Sequence, residues 1–477
     1  MSTVLQSENR TGNKSVKKSE FILYLIAVFF YNNMTGMMGS YRNAYLVNVL
    51  KLTEGQASLL NTLSSVIPFF LTFLIVMYID GRKPGKKGKF KPIMMLTAIP
   101  AGLVLMMGFW TPSVLTGTFM MIYLVSVSIM WSVVTTFGNS INMIANVMTS
   151  DMKERDTVLS FRSISSAVGN SAPLVIVLVI GLIWKDNEGL QYIIGSGLCA
   201  VVGAITVLIG MNAVKERVVY SEEKKNPLVG FADIVKNKYA WVIIISEFLK
   251  NFRLIATYMG VFLAAALLGS TSKFLLFGLP TGIGTAVGML IINFLLKKFN
   301  SKVLYIASGI YSILINTAAF AVGYLYFKNE SPLLQILFIV FLFLIGLQFG
   351  ASNLLPSMFQ ADVIEDIEAK TSKRLDATLP FVISIGTLIS GTIANACSPL
   401  ILYGDGSIIG YIQPTDLDPN PIQSIRTKIL MLFFYTIFHG IMMFLAGVPF
   451  FFYKLTGETK EEVHNKVLKM RESNKTE

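Results

Sequence analysis

Long apolar runs alternate with short polar segments along the whole chain. Each run holds about twenty residues or more, the length that an α-helix needs to cross a hydrocarbon core of roughly 30 Å. The runs lack the two-residue alternation of a membrane β-barrel, and lipid offers backbone groups no partner, so we predict helices. The twelve predicted spans lie near 21–50, 57–79, 92–111, 113–149, 158–184, 190–212, 239–268, 272–297, 303–327, 333–359, 377–403 and 429–453.

Composition supports a membrane protein rather than a soluble one. The chain is 53% hydrophobic and 14% charged, whereas soluble domains carry about 25% charged residues. The two cysteines, Cys199 and Cys397, lie inside apolar runs, which argues against a disulfide framework. Residues 1–20 are polar and the first run is too long for a signal peptide, so we predict that it is the first transmembrane helix. The sequence therefore predicts a polytopic helical membrane protein.

Basic residues predict the orientation. Thirty of the forty Lys and Arg lie in the two tails and in the loops that join even-numbered to odd-numbered spans. Basic residues in short loops stay on the cytoplasmic side, so we expect both termini in the cytoplasm and the protein in the plasma membrane. The net charge of +12 fits attraction to an anionic inner leaflet better than nucleic-acid binding.

The spans fall into two groups of six. The longest interior polar segment, residues 212–238, separates spans six and seven. We predict an N-terminal tail (1–20), a six-helix bundle (21–212), a linker (213–238), a second six-helix bundle (239–453) and a C-terminal tail (454–477). The charged segments SDMKERD (150–156) and ADVIEDIEAKTSKR (361–374) follow spans four and ten, the same position in each half. This pattern predicts a major facilitator fold, whose halves move about a site at the membrane midplane, and we expect a monomer.

These two charged segments are candidates for a cytoplasmic gate. Acids and bases that pair only when the inner mouth is shut would shift the balance between two conformations. The alternative is a solvated loop that marks the membrane boundary, since exposed pairs contribute little. The candidate gate residues are Asp151, Glu154, Arg155, Asp362, Glu365, Lys370 and Arg374.

Four motifs resemble the glycoside-pentoside-hexuronide cation symporters, the melibiose permease family. GASNLLPSMF with QADVIEDIEAKTSKR (350–374) is similar to the end of span ten in that family, and GKKGKFKP (85–92) is similar to its loop between spans two and three. SDMKERD with SFRS (160–163) resembles its loop after span four, and FYNNM (30–34) resembles an element of span one. The resemblance implies a twelve-helix transporter that takes up sugars or glycosides with Na⁺, Li⁺ or H⁺. It also implies that Arg162 contacts sugar.

The chain departs from this family at the expected cation site. The resemblance implies a pair of aspartates on span two, where this sequence has Pro68 and Thr72. An acid and an aromatic residue expected on span four fall at Gly138 and Asn142, and a lysine expected on span eleven falls near Leu388. The usual sodium site is therefore expected to be missing.

Span seven carries the carboxylate that lies most clearly inside an apolar run. Glu247, Lys250 and Asn251 occupy one helical face at spacings of three and four residues. A buried acid can take up and release a proton as its surroundings change, so Glu247 with Lys250 is a candidate for ion coupling. The alternative is a static ion pair that neutralises two buried charges.

Polar side chains in other spans predict a central cavity. Asn139, Asn142 and Asn146 lie on one stripe of span four, and amides of this kind bind hydroxylated ligands. Asn32 and Asn33 on span one, Arg162 with Ser163, Ser166 and Asn170 on span five, and Arg253 on span seven would face the same cavity. The alternatives are hydrogen bonds between helices and, for Arg162, a side chain that reaches toward the membrane surface.

The sequence thus predicts a secondary transporter for a glycoside, sugar or uronide, working by alternating access with cation symport. Four basic residues against one acid within the spans favour an anionic solute. The alternative is an uncoupled facilitator, or a proton-coupled carrier of an anionic or lipid-like solute. We expect no enzyme, since the chain has two separated histidines and no catalytic constellation. We also expect no metal site and no cofactor, with H⁺ or Na⁺ as the coupling ion.

Overall fold

The computed structural model describes residues 16–476, except 82–84, 86–87, 150, 186, 218–229, 330, 372–374, 376–377, 416–417 and 419–420. Within this part of the chain, regular structure is helical apart from one isolated bridge between Gly85 and Gly88. Twelve helical segments of the described residues are long and apolar enough to cross a membrane. The prediction of an all-helical protein with twelve spans is confirmed.

The bounds of the helices follow the apolar runs. Span one contains Lys18–Ala44 and a π-turn at Tyr45–Val49, span two is Glu54–Gly81 and span three is Lys91–Gly108. Span four contains Gly117–Gly138 and Ser140–Val147, span five is Met152–Ile183 and span six is Glu188–Ala213. Span seven contains Lys238–Asn251 and Leu254–Leu268, and span eight contains Thr271–Phe274 and Leu275–Leu295. Spans nine, ten and eleven are Ser301–Asn329, Pro332–Thr371 and Thr378–Leu402. Span twelve begins with Ile425–Phe433 and continues through Phe434–Phe438, His439–Gly447 and Val448–Phe452. Two of the described helices lie outside the spans, Phe231–Lys236 in the linker and Glu458–Thr476 at the C-terminus, here called the tail helix.

The structure differs from the predicted spans at four places. Spans four and seven are each broken in two, at Asn139 and at Phe252–Arg253. Span ten continues as one helix to Thr371, so most of the charged segment after it is helix and not loop. The segment after span four is also largely helical, because span five begins at Met152 with Asp151 as its N-cap.

The packing groups the spans into two bundles. Span one packs against spans five and six in the first bundle, and span eight packs against span ten in the second. The bundles meet where span two lies along span eleven and where span five approaches span eight. Asn61 donates to the Asn395 carbonyl oxygen at 3.0 Å, and the Phe73 and Phe381 rings lie 5.1 Å apart. Spans two and eleven are therefore joined by both polar and aromatic contacts.

Hydrogen bonds and an ion pair hold the first bundle together at the end that carries the chain terminus. We call this end of the protein the terminal face. The Glu216 carboxylate accepts hydrogen bonds from the backbone N–H groups of Lys89, Phe90 and Lys91, at 2.7, 2.8 and 2.6 Å. These groups lie at the start of span three, where a helix lacks internal acceptors and favours negative charge. Residues 89–91 therefore owe part of their conformation to one acid that is distant in sequence.

Beside it, Arg217 and Glu20 form an ion pair at 2.7 Å that joins the end of span six to the start of span one. The Glu20 side chain, through its hydrogen bond, raises the pKa of Arg217. Glu20 also accepts from the Lys215 backbone N–H at 2.9 Å. Spans one, three and six are thus held in register at the terminal face.

We predict that Glu216→Gln destabilises the protein by about 2 kcal/mol or more, because an amide cannot accept three hydrogen bonds as a carboxylate does. The melting temperature of the purified protein in detergent measures this loss. Glu462→Gln is the control, because it removes one negative charge from an exposed position of the tail helix. Its melting temperature should equal that of the unaltered protein. Equal melting temperatures for both variants would contradict the capping role of Glu216.

Candidate functional site

A polar cavity of about 480 Å³ lies within the first bundle. Spans one, four and five supply its lining, which consists of Asn32, Asn142, Arg162, Ser163, Ser166, Ala167 and Asn170. Cavities of roughly 300–1,000 Å³ bind small molecules in proteins. The structure therefore brings together six residues that the sequence predicted from three separate spans: Asn32, Asn142, Arg162, Ser163, Ser166 and Asn170.

The break in span four shapes one wall of this cavity. A Cβ atom on Gly138 would lie 2.0 Å from the Tyr31 hydroxyl oxygen, so only glycine permits this approach of span one. The Tyr31 hydroxyl donates to the Thr135 carbonyl oxygen at 3.3 Å. The chain turns at Asn139 and resumes as the short helix that carries Asn142. Irregular backbone at membrane depth is tolerated where it is buried in protein or lines a cavity.

Arg162 is the cationic group of the cavity. Its Nη1 donates to the Asn142 carbonyl oxygen at 3.3 Å, and its Nη2 donates to the Ser163 hydroxyl at 3.4 Å. Both bonds are long, and the Nε atom is buried without a hydrogen-bond partner. A guanidinium has five N–H donors in a planar fork, so donors remain for an incoming carboxylate, phosphate or hydroxyl group.

The opposite wall is built from spans one and five. Ser166 donates to the Asn32 side-chain oxygen at 2.8 Å, and the Asn32 amide donates to the Val28 carbonyl oxygen at 2.8 Å. A Cβ atom on Gly36 would lie 2.1 Å from the Asn170 carbonyl oxygen, so the two helices touch through their backbones. This close contact fixes the position of Asn170, whose side chain is exposed in the cavity.

Four of the predicted residues, Asn33, Asn139, Asn146 and Arg253, lie outside the cavity lining. Asn33 is buried, with 1% of its surface exposed, and its side-chain oxygen has no hydrogen-bond partner. Asn139 stands at the break of span four, where its backbone N–H donates to the Thr135 carbonyl oxygen at 2.8 Å. The regular spacing from Asn139 to Asn142 that suggested a stripe is interrupted by this break.

Span seven carries a separate charged group in the second bundle. The Lys250 ammonium lies 2.5 Å from a Glu247 carboxylate oxygen, and both side chains are mostly buried. Lys250 also donates to the Ser352 carbonyl oxygen of span ten at 3.3 Å. In this conformation Glu247 is therefore one partner of an ion pair, the arrangement that the sequence offered as the alternative to an isolated acid.

Arg253 stands at the break of span seven. Its guanidinium carbon lies 5.2 Å from the centre of the Phe349 ring, a cation–π contact, and that ring packs against His439 at 4.9 Å. Two residues earlier, the Asn251 amide donates to the Thr387 carbonyl oxygen of span eleven at 2.7 Å. The break is thus supported by spans ten, eleven and twelve, while Arg253 contacts an aromatic face.

At the positions where the resembled family has its cation site, this chain makes ordinary helix contacts. The Thr72 hydroxyl lies 3.1 Å from that of Thr136 on span four, and Pro68 lies within the helix of span two. Among the described residues, no group of three or more His, Cys, Asp and Glu could hold a metal ion.

The sequence and the fold can be compared with known proteins at this point. The model of the family described as MFS/sugar transport protein matches residues 23–457, nearly the whole chain. The chain belongs to this family. Since MFS/sugar transport proteins are transporters and not enzymes, the prediction of a transporter is confirmed.

Individual relatives agree with this assignment. The chain is 24% identical over 448 residues to the "Putative glycoside/cation symporter YagG" of Escherichia coli (strain K12), covering 90% of each protein. It is 24% identical over 435 residues to the "Uncharacterized symporter YjmB" of Bacillus subtilis (strain 168), covering 88% of each. The crystal structure of the nucleoside transporter NupG has the same fold, with a TM-score of 0.62 at 16% identity, over 91% of this chain and 100% of NupG.

Within this MFS sugar-transport fold, the predicted gate residues of the first half lie at the start of span five. Asp151 accepts a hydrogen bond from the Glu154 backbone N–H at 2.8 Å and so caps the helix. Glu154 accepts from the Thr149 hydroxyl at 2.6 Å and from the Val16 backbone N–H at 3.1 Å. The side chain of Arg155 lies outside the described part of the structure.

In the second half, the tail helix reaches the predicted gate acids. Asp362 forms an ion pair with Lys460 at 2.8 Å, and Glu365 contacts His464 at 3.2 Å. Lys370 lies 2.6 Å from Asp366, one turn away on span ten. Arg374 lies outside the described residues. The tail helix was missed by the sequence reasoning, and pairing between the halves in a closed inner mouth stays a prediction.

We predict that Gly138→Ala impairs transport strongly, by about tenfold or more, because the new methyl group cannot fit beside Tyr31 without separating spans one and four. Gly39→Ala is the matched control, since a Cβ atom on Gly39 of span one would meet no atom within 4 Å. Solute uptake per folded protein, with the folded fraction measured by gel filtration, distinguishes the two variants. A similar activity for both would contradict the close packing at Gly138.

Proposed function

We propose that this MFS sugar-transport protein carries a hydroxylated solute with an anionic group, such as a uronide, by alternating access. The observation that supports the proposal is the position of Arg162 in a cavity lined otherwise by amides, hydroxyls and one alanine. A guanidinium binds a carboxylate through two parallel hydrogen bonds. The surrounding amides and hydroxyls offer both donors and acceptors for sugar hydroxyl groups.

The balance of charge within the spans supports an anionic ligand. Glu247 is paired with Lys250, which leaves Arg42, Arg162 and Arg253 as the other basic residues within the spans. Arg162 lines the cavity. Arg253 contacts the Phe349 ring, and a cation on an aromatic face can turn toward an anion in another conformation at modest cost. Buried cations are unfavourable without a counter-charge. A solute that supplies the negative charge would therefore bind more tightly than a neutral one.

We further propose cation symport, with H⁺ or Na⁺ as the ion and Glu247 with Lys250 as the coupling pair. The relatives are named as symporters, and Glu247 is a carboxylate deep within a span. We propose that the terminal face is cytoplasmic, because basic residues concentrate in its loops. The transporter then acts in the plasma membrane as a monomer, without a nucleic-acid partner.

A second candidate is an uncoupled facilitator on the same fold, or a carrier of a lipid-like anion. Two observations favour it. Positions 68 and 72 of span two carry Pro and Thr instead of acids, and the charge of Glu247 is already neutralised by Lys250. A facilitator equilibrates its solute and cannot accumulate it. The response of uptake to imposed ion gradients therefore separates the two candidates.

We predict that Arg162→Gln weakens binding of a uronide by about tenfold or more while it changes binding of the matching neutral glycoside much less, because the lost donors serve the carboxylate. Calorimetric titration of the purified protein with each ligand measures the difference. Arg426→Gln, which removes an exposed arginine at the start of span twelve, is the control. Tighter binding of the neutral glycoside to the unaltered protein would contradict the anionic proposal.

We predict that Glu247→Gln abolishes gradient-driven accumulation in proteoliposomes while solute exchange continues, because an amide cannot bind a proton or cation as a carboxylate does. The charge-neutral double variant Glu247→Gln with Lys250→Met is the control for an unpaired buried lysine. Accumulation that persists in the double variant under Na⁺ or pH gradients would show that the pair is structural and that another group couples the ion.

A further inference from the structure

A second polar network joins the two bundles at the face opposite the termini, which we call the opposite face. Glu188, the first residue of span six, and Asn48, at the end of span one, belong to the first half. Thr271, at the start of span eight, and Tyr411, between spans eleven and twelve, belong to the second half. The cavity and gate residues predicted from the sequence include none of these four side chains.

The Glu188 carboxylate is the centre of this network. One of its oxygens accepts from the Thr271 hydroxyl at 2.8 Å, and the other accepts from the Asn48 amide at 3.1 Å. The Tyr192 hydroxyl lies 2.6 Å from the Thr271 hydroxyl, and the Tyr411 hydroxyl donates to the Asn48 side-chain oxygen at 3.3 Å. Two of the four neighbouring side chains therefore come from the second bundle.

The chemistry of the groups fixes the direction of each bond. The Thr271 hydroxyl donates its one proton to Glu188, so it accepts from the Tyr192 hydroxyl. Burial raises the pKa of Tyr411, so its hydroxyl stays a neutral donor to Asn48, whose amide donates to Glu188. Two series of hydrogen bonds therefore end at the Glu188 carboxylate, one from Tyr192 through Thr271 and one from Tyr411 through Asn48.

Neighbouring contacts close the same face. The Gln413 amide donates to the carbonyl oxygens of Val47 and Leu52 at 3.0 and 3.2 Å, and the Lys51 ammonium donates to the Pro414 carbonyl oxygen. The segment after span eleven therefore lies across the end of span one. A pocket of about 220 Å³ beside Glu188, lined also by Lys428, Asn48 and Tyr411, reaches the network.

We propose that Glu188 is the latch of the opposite face, a positioning residue that holds the two bundles together there and so sets the balance between the two access states. This inference rests on the proposed alternating access. The face cannot open unless Thr271 and Tyr411 separate from the first bundle. The Glu188 contacts with the second half therefore exist in one state and not in the other, and only such differential contacts can bias a conformational equilibrium.

The test measures which side of the membrane reaches the cavity. Ala167, which lines the cavity, is replaced by cysteine in a Cys199→Ala, Cys397→Ala background, and a membrane-impermeant maleimide is added to right-side-out or inverted vesicles. We expect Glu188→Gln to raise labelling from the opposite face by about fivefold or more and to lower labelling from the terminal face. A merely destabilised protein would not show these opposite changes.

Thr271→Val provides an independent test from the other bundle. It removes the donor to Glu188 and should shift labelling in the same direction, and the double variant should shift it by less than the sum of the two single effects, because both act on one contact. Asp418→Asn is the matched control, since it makes the same charge change at an exposed position of the segment after span eleven. It should leave labelling from both sides unchanged.

Unchanged side-specific labelling in both Glu188→Gln and Thr271→Val, with each variant present in the membrane at the normal level, would overturn the proposal. So would an equal shift in Asp418→Asn, because surface charge would then explain the effect. The readout needs no solute and no ion gradient. The labelling result therefore does not depend on whether the proposed solute class or the proposed coupling ion is correct.

Discussion

Hydrocarbon provides no hydrogen-bond partner for the peptide backbone, and the structure of this transporter depends on that constraint. Its spans are helical, and the two breaks described here lie beside polar groups that occupy the gaps. Tyr31 fills the space at Gly138 beside the break of span four, and Asn251 bonds to span eleven beside the break of span seven. The breaks adjoin Asn142 and Arg253, so irregular backbone, which is energetically unfavourable in a membrane, lies next to candidate binding residues.

The two faces of the bundle are held together differently. On the terminal face, Asp362 and Glu365 are engaged by the tail helix of their own half, and Asp151 caps span five. On the opposite face, Glu188 accepts hydrogen bonds from both halves. A protein that must open at one face at a time needs contacts of this unequal kind.

Much of the fold could be predicted from the sequence, because the length and polarity of the apolar runs determine the spans. The clustering of Asn32, Asn142 and Arg162 could also be predicted, since polar groups in separate spans avoid lipid by facing one another. The breaks at Asn139 and Arg253 could not, because each lies inside a run long enough for one span and no proline marks the place. The approach of Tyr31 to Gly138 and the bond from Asn251 to Thr387 lie beside these breaks, and a single sequence does not display such contacts between spans.

The network of the opposite face and the tail helix were missed for a related reason. Glu188 looks like a boundary acid at the start of a helix, and its importance arises from Thr271 and Tyr411, which are distant in sequence. The resemblance to the melibiose permease family identified Arg162 and the charged segments, but the gate role of those segments depends on a conformation with a closed terminal face. Long-range pairing is decided by tertiary structure, and residue type alone cannot specify it.

The central claim is that a cavity in the first bundle receives the solute and that Arg162 neutralises its charge. A cryo-electron microscopy structure of the protein saturated with a uronide tests this claim most directly. The account predicts ligand density among spans one, four and five, with the carboxylate within hydrogen-bond distance of the Arg162 guanidinium. Density elsewhere, with Arg162 and Asn142 facing lipid, would contradict it.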